Sequence, residues 1–148
     1  MEYIKINKFE ISNYKDVKER SILNQLENAI NDYLTGTNID LFEEMKSIDV
    51  LIDLKNKFKT DFSVSVINSL IKTKPGESTT YSNLAKKINS KAYRAVGTVL
   101  RNNPLPLIIP CHRVIKKDGK IGGFMGKMDE DWQITLKRSL LRIEGFMI

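Results

Sequence analysis

The sequence predicts an α+β protein in two parts. Residues 1–59 form a small α/β unit with a short antiparallel sheet, and residues 60–148 form a mostly helical C-terminal domain. Three observations carry this. Short β-prone runs fall before residue 55, helical periodicity dominates afterwards, and the charge differs between the two halves of the chain. Residues 1–70 hold 9 basic and 12 acidic side chains, a net of −3, whereas residues 71–148 hold 15 and 6, a net of +9.

In chain order, Tyr3-Ile4-Lys5-Ile6 and Phe9-Glu10-Ile11 read as one or two strands. Glu19 to Leu34 reads as a helix, with Ile22, Leu23, Leu26, Ile30, Tyr33 and Leu34 as its apolar stripe and Gly36 past its end. Asp49 to Leu54 suits a buried strand, and the polar stretch Lys55 to Thr60 is the boundary. A helix bearing Val64, Ile67, Leu70 and Ile71 follows, ended by Pro75-Gly76. Thr80 caps a short helix carrying Tyr81, Leu84, Ala85 and Ile88. After the Asn89-Ser90 turn, with Ser90 as cap, the next helix spans about Lys91 to Arg101. Two short helices joined by a tight polar turn make a helix-turn-helix candidate.

At 100° per residue, Arg94, Gly97, Thr98 and Arg101 share one face of that second helix, opposite Ala92, Val96, Val99 and Leu100. Small residues between two arginines let a helix approach a nucleic-acid backbone or groove. A solvated amphipathic helix explains the same pattern. The net charge of +6 points to a polyanion, with nucleic acid the first candidate and an anionic membrane surface the second. No apolar run reaches the ~18 residues of a membrane span, and the charged start has no signal-peptide core.

Three of the four prolines, Pro104, Pro106 and Pro110, precede Cys111, so Asn102 to Pro110 should be stiff, extended and non-helical. Cys111 and His112 are the only cysteine and histidine, which excludes an intramolecular disulfide framework and a Cys/His zinc cluster. The neighbouring His112 and Arg113 would lower the thiol pKa; an inert buried thiol is the competing reading. Adjacent residues diverge in direction, so activation of Cys111 by His112 needs a bridging water or a local bend. The relay also needs a carboxylate. Asp129 to Glu144 reads as a helix with Trp132, Leu136, Leu140 and Ile143 inward, Lys137, Arg138 and Arg142 in its later turns, and Gly145 as cap. Glu144 lies at the wrong end of that helix dipole, which suggests a specific partner; a solvated terminal residue is the alternative.

Together, Tyr81-Ser82-Asn83-Leu84-Ala85, Arg94-Ala95-Val96-Gly97, Asn103 to Val114, Gly122-Gly123-Phe124 and Leu140 to Gly145 resemble the O6-alkylguanine–DNA alkyltransferases. The resemblance runs from about Thr60 to Gly145. It implies a ribonuclease-H-like N-terminal domain and a winged helix-turn-helix-like C-terminal domain. It also implies single-turnover transfer of an alkyl group from O6-alkylguanine in duplex DNA to Cys111, with O4-alkylthymine a possible second substrate. By the same resemblance His112 is the base, acting through a water, and Glu144 orients it. Asn103 braces the Cys111 segment and Tyr81 assists the leaving guanine. Arg94 fills the gap left by the flipped nucleotide while Ala95, Gly97, Thr98 and Arg101 meet the minor groove. Val114, Phe124, Met125 and Gly126 belong to the base pocket. Phe124 stands where a tyrosine is common and Met125 where a small or polar residue is common, so the alkyl-size range stays open. No cofactor or metal is expected; the expected partner is damaged double-stranded DNA, the expected state a monomer, and the expected place the cytoplasm, or a nucleus if the source has one. The competing classes are a helix-turn-helix module with an inert or redox-sensing thiol, and a cysteine hydrolase.

Overall fold

The computed structural model describes residues 4–5, 17–129 and 131–148. Strand β1 (Ile4–Lys5) leads into the N-terminal elements α1 (Val17–Leu34), α2 (Leu41–Ser47), β2 (Val50–Leu51) and α3 (Leu54–Lys57). Then follow α4 (Asp61–Leu70), β3 (Thr79–Thr80), α5 (Tyr81–Lys87), α6 (Tyr93–Arg101), β4 (Val114–Ile115) and α7 (Trp132–Ile143). The protein is α+β, as the sequence indicates. Both described sheets are two-stranded and parallel, β1 with β2 and β3 with β4, which corrects the expected antiparallel pairing. The reason is the connection. α1 and α2 lie between β1 and β2, and a crossover of this kind returns the chain in the same direction. The Phe9-Glu10-Ile11 strand falls outside the described residues.

Local signals are realised where a side chain caps a backbone. The Thr80 hydroxyl accepts from Asn83 N at 3.1 Å, and Thr60 does the same for Ser63 at the head of α4. Gly145 closes α7 with φ +82°, its N–H reaching Arg142 O while Phe146 N reaches Leu141 O. Three expectations shift. The strand predicted from Asp49 to Leu54 shrinks to two residues, because Asp49 adopts φ +61° and Asp53 caps α3. Ser90 accepts from Ala92 N in the turn, so α6 starts at Tyr93 without a side-chain cap. On α7, Trp132 and Leu136 are exposed, and the inward arc is Gln133, Ile134, Lys137, Leu140 and Leu141.

The larger apolar cluster joins α1 to the C-terminal helices: Ala29, Tyr33 and Leu41 pack with Val66, Ile67, Leu84, Val96, Cys111 and Leu140. A second cluster under α1 and α2 takes in Ile108, from the loop just before Cys111. That loop is non-helical as expected, but it folds back instead of extending. Ile109 N reaches Leu105 O at 2.9 Å, and Leu107 turns the chain with φ +79°. Burial of Leu105, Ile108 and Ile109 pins the loop to both clusters.

Candidate active site

Cys111 begins a 3-10 turn, Cys111–Arg113, that enters β4. The thiol is 6% exposed and forms part of the wall of a cavity of about 340 Å³. Asn103 spans the loop that delivers it: Nδ2 donates to Ile109 O (3.0 Å) and to Cys111 Sγ (3.2 Å), and Oδ1 accepts from Leu105 N (3.0 Å). Burial pushes the thiol pKa up, opposed by the Asn103 hydrogen bond and the Lys137 charge. This corrects the expectation that the flanking His112 and Arg113 lower it, because Arg113 points away from the sulfur. At neutral pH the resting group is a thiol and needs a base.

His112, the next residue, sits in a closed network. It is wholly buried and its Nε2 lies 2.8 Å from Glu144 Oε1. Facing a carboxylate, Nε2 carries the proton, and Nδ1, with no partner among the described residues, keeps the lone pair. Glu144 follows α7 as its C-cap, so its partner at the unfavourable end of the helix is now identified. Arg113 donates to both its oxygens, Nη2 to Oε1 at 2.8 Å and Nε to Oε2 at 3.0 Å. The rest of the guanidinium reaches Thr73 O (2.6 Å) and Asp40 Oδ2 (3.4 Å). Tyr33, from α1, donates to Glu144 Oε1 at 2.7 Å. Beneath this end of α7, a Cβ on Gly76 (φ +81°) would lie 2.9 Å from the Glu144 carbonyl, so glycine there lets the turn after α4 close against it.

Burial raises the Glu144 pKa, but hydrogen bonds and charge from His112 and Arg113 outweigh it and hold it at about 2. Burial pushes the His112 pKa down despite the carboxylate. Both groups therefore bind protons more weakly folded than unfolded. Their stabilisation is complete above the unfolded values of 6.5 and 4.5 and fades as pH falls through the lower folded ones. Acid titration followed by circular dichroism should show stability declining below pH 6.5 and still falling between about 4.5 and 2. A flat profile across that window would contradict the network.

The cavity opens between α6 and the loop that follows β4. Of the residues singled out in the sequence, Tyr81, Arg94, Gly97, Thr98, Arg101, Phe124, Met125 and Gly126 line it with Cys111. Ala95 is exposed on α6 but off the cavity wall, and Val114 is wholly buried. The Tyr81 ring packs against Gly97, where a Cβ would approach its carbons at 3.8 Å. Burial, then a negative charge at Cys111, raise its hydroxyl pKa, opposed by a hydrogen bond from the Gly123 backbone. Gly123 itself admits no side chain: a Cβ would stand 2.8 Å from Lys127 O and closer still to Met128 Sδ.

Sequence reasoning missed Tyr33 as a partner of Glu144, Lys137 as a buried group, and Tyr93 and Met128 as cavity walls. Lys137 is wholly buried, with Nζ donating to Val114 O and, at 2.9 Å, to Gly123 O. It ties β4 to the cavity loop, and desolvation lowers its pKa to about 8. Its spacing of three from Leu140, which the sequence turns inward, was the available signal. Among the described residues no group of His, Cys, Asp and Glu could hold a metal ion, and no helix is long and apolar enough to cross a membrane.

A buried thiol with an imidazole–carboxylate pair behind it, opening beside an arginine-bearing helix, defines a nucleophilic cysteine site on a nucleic-acid-facing surface. A family model described as the 6-O-methylguanine DNA methyltransferase DNA-binding domain matches residues 61–146. The chain is 34% identical over 129 residues to the methylated-DNA–protein-cysteine methyltransferase of Methanosarcina mazei, covering 86% of this chain and 72% of that one. For the protein of that name from Sulfurisphaera tokodaii the figures are 35% over 139 residues, 93% and 80%. The crystal structure of Mycobacterium tuberculosis OGT in complex with DNA superposes with a TM-score of 0.62 at 30% identity, over 82% of this chain and 66% of that one. The chain belongs to the methylated-DNA–protein-cysteine methyltransferase family.

Proposed function

We propose that this chain performs direct-reversal DNA repair, moving a methyl or other alkyl group from the O6 atom of guanine in duplex DNA to Cys111. The observation that carries this is the thiol on the cavity wall, with His112 and Glu144 buried behind it and Arg94 and Arg101 exposed at the mouth. His112 Nδ1 takes the thiol proton through a bridging water, and Glu144 holds the imidazolium that results. The thiolate attacks the alkyl carbon, the bond from that carbon to O6 breaks, and Tyr81 donates a proton or hydrogen bond to the departing guanine. The thioether is stable, so each chain acts once.

The alkylated base lies inside the stack and must rotate into the cavity. α5 and α6 act as a winged helix-turn-helix-like unit whose second helix enters the minor groove. Arg94 fills the vacated stack, while Ala95, Gly97, Thr98 and Arg101 follow the groove. Val114, Phe124, Met125 and Gly126 frame the base, Val114 through its backbone, whose carbonyl accepts a hydrogen bond from Lys137 Nζ. The proposal includes a division near residue 59 into a ribonuclease-H-like part and the DNA-binding domain, a monomer needing no cofactor, and action inside the cell, in the cytoplasm. A helix-turn-helix module with an idle thiol leaves the buried His112–Glu144 pair without a purpose.

The test is repair of a duplex carrying O6-methylguanine at increasing protein amounts. Restored guanine should plateau at one per chain; continued turnover, or no repair, overturns the reading. In the same assay Arg94→Ala should slow repair of duplex at least ~10-fold while reaction with free O6-benzylguanine changes less than ~2-fold, since the free base needs no extrusion. Equal losses on both substrates contradict the extrusion role.

A further inference from the structure

We propose that Tyr33, contributed by α1, is a positioning residue for the proton relay: its hydroxyl takes up part of the Glu144 charge and so keeps His112 a neutral, weak base at rest. The proposal deepens the alkyl-transfer reading and rests on it for its purpose.

The geometry is a triangle of three buried polar atoms. Tyr33 is 1% exposed, and its oxygen lies 2.7 Å from Glu144 Oε1 and 3.2 Å from His112 Nε2, which are themselves 2.8 Å apart. The phenol has one proton to give. The carboxylate, held ionised by Arg113, has none, so the phenolic proton goes to Oε1. The phenolic lone pairs then face the ring, and with the carboxylate they present two acceptors to Nε2. Only the tautomer with the proton on Nε2 satisfies both, and Nδ1 is left as the acceptor.

The second consequence concerns basicity. Oε1 is shared by the imidazole N–H, the phenol and two N–H groups of Arg113. Each added donor withdraws negative charge that would otherwise stabilise the imidazolium. The groups facing His112 are Glu144 beyond α7, Lys137 on α7, Arg113 in its own turn and Tyr33 on α1, with Asp40 acting through Arg113. Glu144 favours the imidazolium; Arg113 and Lys137 oppose it by charge. Tyr33 acts in both directions: its lone pair, 3.2 Å from Nε2, favours the imidazolium weakly, while its shorter 2.7 Å hydrogen bond to Oε1 withdraws the carboxylate charge and outweighs that. The ring itself packs in the apolar cluster, where phenylalanine would fill the same space, so the hydroxyl's contribution is confined to the relay.

The chain has a single histidine, so the imidazole resonances in an NMR titration of the full chain are unambiguous. Tyr33→Phe should raise the His112 midpoint by about one pH unit, the size expected for losing one hydrogen bond to a charged group. The acid limb of the alkyl-transfer rate should move the same way. A site-specifically incorporated fluorinated tyrosine at position 33, a stronger donor of nearly the same shape, should move the midpoint down; it carries the test alone if the phenylalanine variant does not fold. Opposite shifts support the assignment. An unmoved midpoint, or a rate reduced equally at every pH, overturns it. A wild-type chain that transfers no alkyl group refutes the functional reading, yet the imidazole titration still decides the role of Tyr33.

Discussion

Glu144→Ala is expected to lower the folding free energy by about 3–5 kcal/mol at neutral pH, the penalty for leaving a buried charge without its partner. Arg113 is 1% exposed and receives most of its compensation from the two carboxylate oxygens. Thr73 O and the longer contact to Asp40 remain but do not neutralise it fully. A domain of this size has roughly 5–15 kcal/mol in total, so the variant should be marginal, and transfer measured on its folded fraction should fall at least ~100-fold as the base loses its orienting group. Urea unfolding of Glu144→Ala and of the double variant Arg113→Met/Glu144→Gln separates the causes. The double variant should recover most of the stability and none of the activity. A loss under ~1 kcal/mol in the single variant would mean that the guanidinium is solvated elsewhere.

Lys137→Met should show the reverse balance. Methionine has nearly the same length, and removing a wholly buried ammonium saves its desolvation while costing the hydrogen bonds to Val114 O and Gly123 O. Folding stability should therefore change by less than ~2 kcal/mol. The thiolate, however, loses a positive charge that lowers the Cys111 pKa, and the cavity loop loses its tie to β4. The iodoacetamide rate at Cys111, followed against pH, should shift to higher pH, and alkyl transfer should fall ~10–100-fold. An unchanged pH profile would restrict Lys137 to a scaffolding role.

What could be read from the sequence was what neighbours in sequence decide. Thr80 caps α5 because its hydroxyl needs only Asn83 N, and Gly145 ends α7 because its φ does. The proline-rich approach to Cys111-His112 was visible as a motif, but its folding back depends on Asn103 reaching Ile109 O and on Ile108 entering a cluster built by α1 and α2. The parallel pairing of β1 with β2 is set by a crossover of two helices, which no local run of residues encodes. Lys137 defied the rule that charge faces water because two carbonyls await it inside. Glu144 was singled out for its unfavourable place on the dipole, and the arginine and tyrosine that justify it come from 31 and 111 residues away.

The central claim is that the alkyl group ends on one sulfur atom. Peptide mass analysis after incubation with duplex DNA containing O6-methylguanine tests it directly. The account predicts one added methyl on the peptide bearing Cys111, matched by restored guanine, and none in Cys111→Ala. Restored guanine with an unmodified Cys111, or a methyl on any other residue, would contradict it.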